Sequence, residues 1–146
     1  MKKSILLIFV TVLFAVSCKN NKKVELTKKI SNELTFAGSW TRSFEMGNGV
    51  AAKVTYNIWQ DSIHYDMLGP MHMQYTIKKD TFIVSDNKWI GRKDNISYVI
   101  FAKNTSKDSI SLLKMKVENM QKALEMKFPS DSARSKFSSW NTYIKN

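Results

Sequence analysis

From Phe36 onward, apolar and polar residues alternate with a period of two, the pattern of strands with one buried face. Trp40, Phe44 and Met46 alternate with Ser39, Thr41, Ser43 and Glu45, and the run stops at Gly47-Asn48-Gly49, a strong hairpin signal. The partner run sets Val50, Ala52, Val54, Tyr56 and Ile58 on one face, and Ala51, Lys53, Thr55, Asn57 and Trp59 on the other. After a turn at Asp61-Ser62, Ile63, Tyr65 and Met67 lead to Gly69-Pro70, and Met71, Met73, Tyr75 and Ile77 follow. Parity favours an odd loop between these two runs. A loop of Leu68-Gly69-Pro70 pairs Met67 with Met71 and Tyr65 with Met73, whereas a Gly-Pro loop would set a polar face against an apolar one.

Turn signals at Lys79-Asp80, Asp86-Asn87, Lys93-Asp94-Asn95 and Asn104 to Asp108 then delimit the runs Thr81 to Ser85, Lys88 to Arg92, Ile96 to Lys103 and Ser109 to Val117. Eight short strands in meander order predict a mainly β fold, an antiparallel up-and-down eight-stranded β-barrel, because closure removes the exposed edges of an open sheet. Helical spacing occurs on either side. Leu26, Ile30 and Leu34 predict a short helix over Val24 to Leu34. Val117, Met120, Leu124 and Phe128, ended by Pro129, and then Phe137, Trp140 and Ile144, predict one or two helices packed on the barrel. Strands continuing to Phe128 are the alternative for the first of these.

The N-terminus has a different character. Met1-Lys2-Lys3 precedes an apolar run from Ile5 to Val16 broken only by Thr11, too short to span a bilayer and suited to the apolar region of an export signal. Ala15-Val16-Ser17-Cys18 resembles the lipobox of bacterial lipoproteins, although Ala15 stands where Leu is usual. The resemblance implies cleavage before Cys18 and lipid attachment to its thiol. Cys18 is the one cysteine in the chain, so no internal disulfide is available. The expected organisation is a signal peptide at 1–17, a lipid-anchored tether with its short helix at 18–34, and a single domain at 35–146. The tether begins Lys19-Asn20-Asn21-Lys22-Lys23, basic where some outward-facing lipoproteins are acidic. The expected location is therefore the cell envelope, lipid-anchored at the outer membrane and facing the periplasm.

Charge narrows the partners. The 146 residues carry 23 Lys+Arg against 12 Asp+Glu, a net +11, and losing Lys2 and Lys3 lowers it only by two. Such a field favours anions. Export argues against nucleic acid, leaving acidic lipids, an acidic protein or an acidic glycan.

Gly38-Ser39-Trp40 opens the first strand, and here the chain resembles the lipocalin-like lipoproteins of Gram-negative bacteria, over roughly residues 36 to 117. The resemblance implies a tryptophan plugging the closed end and an apolar pocket for a small hydrophobic or amphipathic ligand. Arg42 shares the face of Trp40 and Phe44, where an unpaired guanidinium is costly and a carboxylate or phosphate would satisfy it. Tyr56, Tyr65 and Tyr75 share that interior and offer hydroxyl donors, so these four residues form the expected ligand site. The bland alternatives are that Trp40 is simply core and that Arg42 snorkels to water at a mouth.

Other chemistry is weaker. Met67, Met71, His72 and Met73 invite a copper site, but Met71 and Met73 face away from His72. His64, Asp66 and His72 share a face without a fourth ligand, so no metal or other cofactor is expected. Nucleophile elbow, zinc-protease and phosphate-loop patterns are missing, and no enzymatic activity is expected. Asp61-Ser62-Ile63, Asp108-Ser109-Ile110 and Asp131-Ser132-Ala133 resemble a pattern carrying O-glycans in some exported proteins, and equally suit plain turns. The expected function is a membrane-anchored, lipocalin-like lipoprotein binding a small apolar or acidic amphiphile. The alternative is an envelope interaction, inhibitor or immunity-type lipoprotein with no ligand cavity.

Overall fold

A computed structural model describes residues 35–130, 134–135 and 138–146. The export signal, Cys18, the tether, the helix expected over Val24 to Leu34, Phe137 and Asp131-Ser132-Ala133 lie outside the described residues. Strands β1 (Gly38–Met46) and β2 (Val50–Ile58) form the first hairpin, pairing Trp40 with Tyr56 and Met46 with Val50 around a single 3-10 turn at Gly47–Gly49. Gly49 turns the chain at φ +72°, which a side chain would disfavour. The inward face of β2 is as expected for Ala52, Val54, Tyr56 and Ile58, all buried, while Val50 at the tip is exposed.

Strand β3 (Ser62–Leu68) then pairs with β4 (Met73–Ile83), with Ile63 opposite Ile77, Tyr65 opposite Tyr75 and Met67 opposite Met73. Apolar meets apolar, as parity demands, but the register lies two residues beyond the expected Met67–Met71 pairing. Parity excludes only odd slips. Packing chose the longer loop, whose Gly69 lies against Ala52 of β2.

The turn expected at Lys79-Asp80 does not exist. Both runs belong to β4, and Asp80 is the extra residue of a bulge, the register passing from Lys79–Gly91 to Thr81–Ile90. Gly91 makes this approach feasible: a Cβ there would lie 2.5 Å from the Lys78 carbonyl oxygen and 2.8 Å from Ile77 Cγ2. Arg92 clasps the bulge, its Nε and Nη2 donating to the Asp80 carboxylate at 2.9 and 3.0 Å.

Strands β5 (Lys88–Lys93), β6 (Ile96–Ser106) and β7 (Ser109–Val117) continue the meander. That makes seven strands up to Val117, not eight. A short helix α1 (Met120–Glu125) and two minimal strands, β8 (Arg134–Ser135) and β9 (Ser138–Ser139), follow. The eighth barrel strand is β10 (Asn141–Lys145), which slots between β7 and β1 and closes the barrel in the order β1-β10-β7-β6-β5-β4-β3-β2. The helix expected around Trp140 and Ile144 is thus a strand. Tyr143 points inward at 5% exposure and Ile144 outward at 56%, so helical spacing was mimicked by two residues outside one sheet.

Two apolar clusters result. Inside, Phe36, Trp40, Phe82 and Trp89 close the lower end, with Ile58, Ile63, Ile77, Ile100, Ile110 and Leu112 in the bore. The Trp40 indole N–H donates to the Phe36 carbonyl at 2.8 Å, and Phe36 meets Trp89 edge-on at 5.5 Å. Outside, Ile90, Val99, Phe101 and Leu113 are covered by Ala123 of α1. The wall of β5 to β7 is thus buried on both faces, which is why the two-residue alternation breaks down in stretches such as Tyr98-Val99-Ile100-Phe101 and Leu112-Leu113. A six-residue helix is unstable alone and depends on such packing. Asn119 Oδ1 caps it by accepting from the Lys122 amide at 2.9 Å. The buried Lys88 ammonium holds its other end, donating to the carbonyls of Ala123 at 3.1 Å, Leu124 at 3.0 Å and Met126.

Candidate functional site at the barrel mouth

The strands give the barrel two unlike ends. The lower end, at Phe36, Trp40 and Trp89, is plugged by aromatic rings. The upper end is framed by the tips joining β1 to β2, β3 to β4 and β5 to β6. Alternation carries Arg42 and Phe44 of β1, Tyr56 of β2, Tyr65 and Met67 of β3, and Tyr75 of β4 into the bore below this mouth. The four residues expected from the sequence, Arg42, Tyr56, Tyr65 and Tyr75, therefore do share one interior.

The tyrosines form a continuous array. Tyr65 stacks on Tyr75 with ring centres 4.9 Å apart, and Tyr75 on Tyr98 at 6.1 Å. Tyr56 meets Tyr65 edge-on at 5.2 Å and Tyr143 at 5.1 Å. Tyr98 and Tyr143 come from β6 and β10.

At the centre of this array sits Lys114, on the inward face of β7 opposite Ile100. Its ammonium nitrogen lies 3.6 Å from the centre of the Tyr65 ring, 5.0 Å from Tyr75 and 5.6 Å from Tyr56, and it donates to the Tyr75 hydroxyl. Ring faces offer a cation electrostatic attraction, which offsets part of the lost hydration. The offset is incomplete: burial, helped by the charge of Lys116, lowers the amine from 10.5 to about 8.

Burial also acts on the hydroxyls. It raises Tyr143 to about 12, against the charge of Arg42, which pulls the other way, and it raises Tyr56, Tyr65, Tyr75 and Tyr98 as well. These phenols stay protonated at any ordinary pH and act as donors or ring faces. Arg42 lies nearer the opening, partly buried, its guanidinium carbon 4.7 Å above the Phe44 ring. Its charge favours ionisation of the Tyr143 hydroxyl, opposing the effect of burial there.

Phe44 also lines an open groove of about 640 Å³ at the lip, shared with Val50, Ala52, Leu68, Gly69 and Pro70. The mouth thus offers two cations, several hydroxyls and an adjoining apolar wall. A carboxylate or phosphate on a short apolar body would meet both kinds of surface.

Lys114, Tyr98 and Tyr143 were not among the residues expected from the sequence. In β7 the alternation that would have marked Lys114 as inward is hidden, because Ile110 and Leu112 face the bore while Leu113 and Met115 face α1. Tyr143 fell in a segment read as helix.

The histidines lie elsewhere. His64 stacks on Trp59 at 6.0 Å and bonds Thr76 at 3.0 Å, while His72 Nε2 contacts Asp66 at 2.8 Å. Among the described residues no group of three His, Cys, Asp or Glu side chains is placed to hold a metal ion. Of the Asp-Ser patterns, Ser62 donates to Asp61 at 2.8 Å, and Ser109 is buried against Thr105 and Ser106 at 2.6 and 2.7 Å. Comparison with protein-family models, with curated proteins and with solved structures gave no match for this chain.

Proposed function

We propose that this is a lipid-anchored, lipocalin-like protein of the cell envelope, anchored through Cys18 in the outer membrane on its periplasmic side. Its barrel mouth binds a small amphiphile bearing an anionic head, and it is not an enzyme. The observation that carries the reading is Lys114, an ammonium placed inside a barrel against the rings of Tyr56, Tyr65 and Tyr75 at a cost in hydration. An anionic head would add a charge-assisted contact to those the ammonium already makes with the tyrosines. Arg42 would supply a second contact, and the tail would lie along Phe44 and the groove rather than deep in the bore.

The test is binding of a fluorescent fatty acid to the protein, with Lys114→Met and Arg42→Met as variants. Each substitution should weaken binding about tenfold, corresponding to the loss of roughly 1.4 kcal/mol. Equal affinity in the wild type and both variants would sink the reading.

A second reading, an interaction or inhibitor-type lipoprotein without a ligand cavity, draws on the packing of the same bore. Tyr56 and Tyr65 are 3% and 9% exposed and fill each other's space, leaving the centre occupied. Absence of fatty-acid binding by the folded wild type would favour it.

A further inference from the structure

A lysine is a nucleophile only when its nitrogen carries a lone pair, so an amine that gives up its proton near neutral pH can do chemistry closed to an ordinary surface lysine. Among the described residues burial lowers two lysines, Lys88 and Lys114. Lys88 is sealed: it has no exposed surface, and its nitrogen donates to the carbonyls of Ala123, Leu124 and Met126. Lys114 keeps access. It is only partly buried, while Leu112, one inward step deeper on β7, is 2% exposed, so the amine stands where the open part of the bore gives way to packed core. With the amine at about 8, roughly one Lys114 in ten is neutral at pH 7, against about one in three thousand for a lysine at 10.5.

The groups around this nitrogen suit attack on a carbonyl carbon. The Tyr75 hydroxyl accepts a hydrogen bond from Lys114 and carries a proton of its own, so it can pass one proton on as it takes another without ionising. Burial raises that phenol and keeps it protonated. One step nearer the opening, the inward faces of β3 and β1 carry Met67 and Phe44, both apolar and partly buried. A carbonyl compound with a short apolar body would lay its tail along these side chains and present its carbonyl carbon to the nitrogen. The imine, once protonated, is a cation again, and the Tyr65 ring 3.6 Å from the nitrogen offers it the same face that it offers the ammonium.

We propose that Lys114 captures small aliphatic aldehydes as a reversible imine, with the Tyr75 hydroxyl as proton relay. The nitrogen lone pair adds to the aldehyde carbon, and a proton moves from nitrogen to oxygen to give a carbinolamine. Tyr75 then gives its proton to the departing hydroxyl and receives one from the nitrogen. The C–O bond breaks, the C=N double bond forms and one water leaves; no oxidant or reductant takes part. This capture shares with the amphiphile reading only the access of small molecules to the bore. It needs no anionic head, and an anion held there needs no covalent bond, so fatty-acid binding and imine formation can each fail alone.

The experiment uses the full chain at pH 7, with hexanal as the probe and sodium cyanoborohydride to fix the imine as a secondary amine. The reductant is in excess, so that addition sets the rate, and peptide mass spectrometry locates each added hexyl group. Lys114 should be modified at least about ten times faster than Lys107, in the exposed turn between β6 and β7. In urea that preference should vanish, because it belongs to the folded bore. Tyr75→Phe, shown to be folded by circular dichroism, should slow modification of Lys114 several-fold and leave Lys107 unchanged. No modification at Lys114, or modification of Lys107 at an equal rate in the folded protein, would overturn the proposal. An unchanged rate at Lys114 in folded Tyr75→Phe would overturn the relay.

Discussion

Lys114 sets the energetics of the mouth at the scale of single residues. A lysine normally titrates at 10.5, and here burial brings it to about 8. Below pH 8 both folded and unfolded chains hold the proton, and the folded one carries the full desolvation cost. Between about 8 and 10.5 the folded protein releases the proton first, so stability should rise with pH. Lys88 is lowered by burial too and acts with the same sign. Above pH 10 the sign reverses, because Tyr56, Tyr75 and Tyr143 are raised and stay protonated while the unfolded chain ionises its tyrosines. Thermal melts across pH 7 to 11 should therefore peak between about 9 and 10, and a melting temperature falling steadily from pH 7 would contradict this assignment. Lys114→Met should move the other way from ligand binding. Without ligand it should stabilise the fold by on the order of 1–3 kcal/mol, after allowance for the solvent that reaches a partly buried side chain. Chemical denaturation of the unliganded variant measures it. The inward aim of Trp40, Arg42 and the three tyrosines was legible from alternation alone, whereas that of Lys114 was not, because both faces of its strand are apolar.

Among the elements, β4 shows how turn chemistry misleads. Lys79-Asp80 has the composition of a turn, yet the sheet continues through it with one extra residue. What makes this possible is 11 residues away, at Gly91, where a side chain would meet the Lys78 carbonyl. Gly91→Ala should cost about 1–3 kcal/mol through the forced shift of two strands, read as a lower denaturant midpoint. An unchanged midpoint would mean that the bulge relaxes freely. Helix α1 illustrates the opposite dependence. Its sequence signal, Met120 and Leu124 at helical spacing, was readable, but its length was not, since Lys88 ends it by gathering the carbonyls of Ala123, Leu124 and Met126.

Closure is decided by the whole molecule. The five residues of β10 pair Thr41 with Ile144 on one side and Ile110 with Tyr143 on the other. Without them β1 and β7 would be open edges, ready to pair with other chains. Truncation after Ser130 should therefore yield a chain that aggregates on refolding, detected by light scattering, and a soluble monomer would show that seven strands suffice. Strand periodicity, the hairpin at Gly47–Gly49, the parity of the β3–β4 pairing and the basic character of the chain were determined by sequence alone, because each depends on neighbours a few residues apart. Which segment completes the barrel and which β7 residues face its interior depend on contacts between residues tens of positions apart. Eight strands were expected and eight close the barrel, but the count agreed by coincidence: two expected strands are one, and the eighth is the segment read as helix. Local spacing cannot separate a five-residue strand with a single inward side chain from a turn of helix. The open position between β1 and β7 does, because only an extended segment can satisfy both edges.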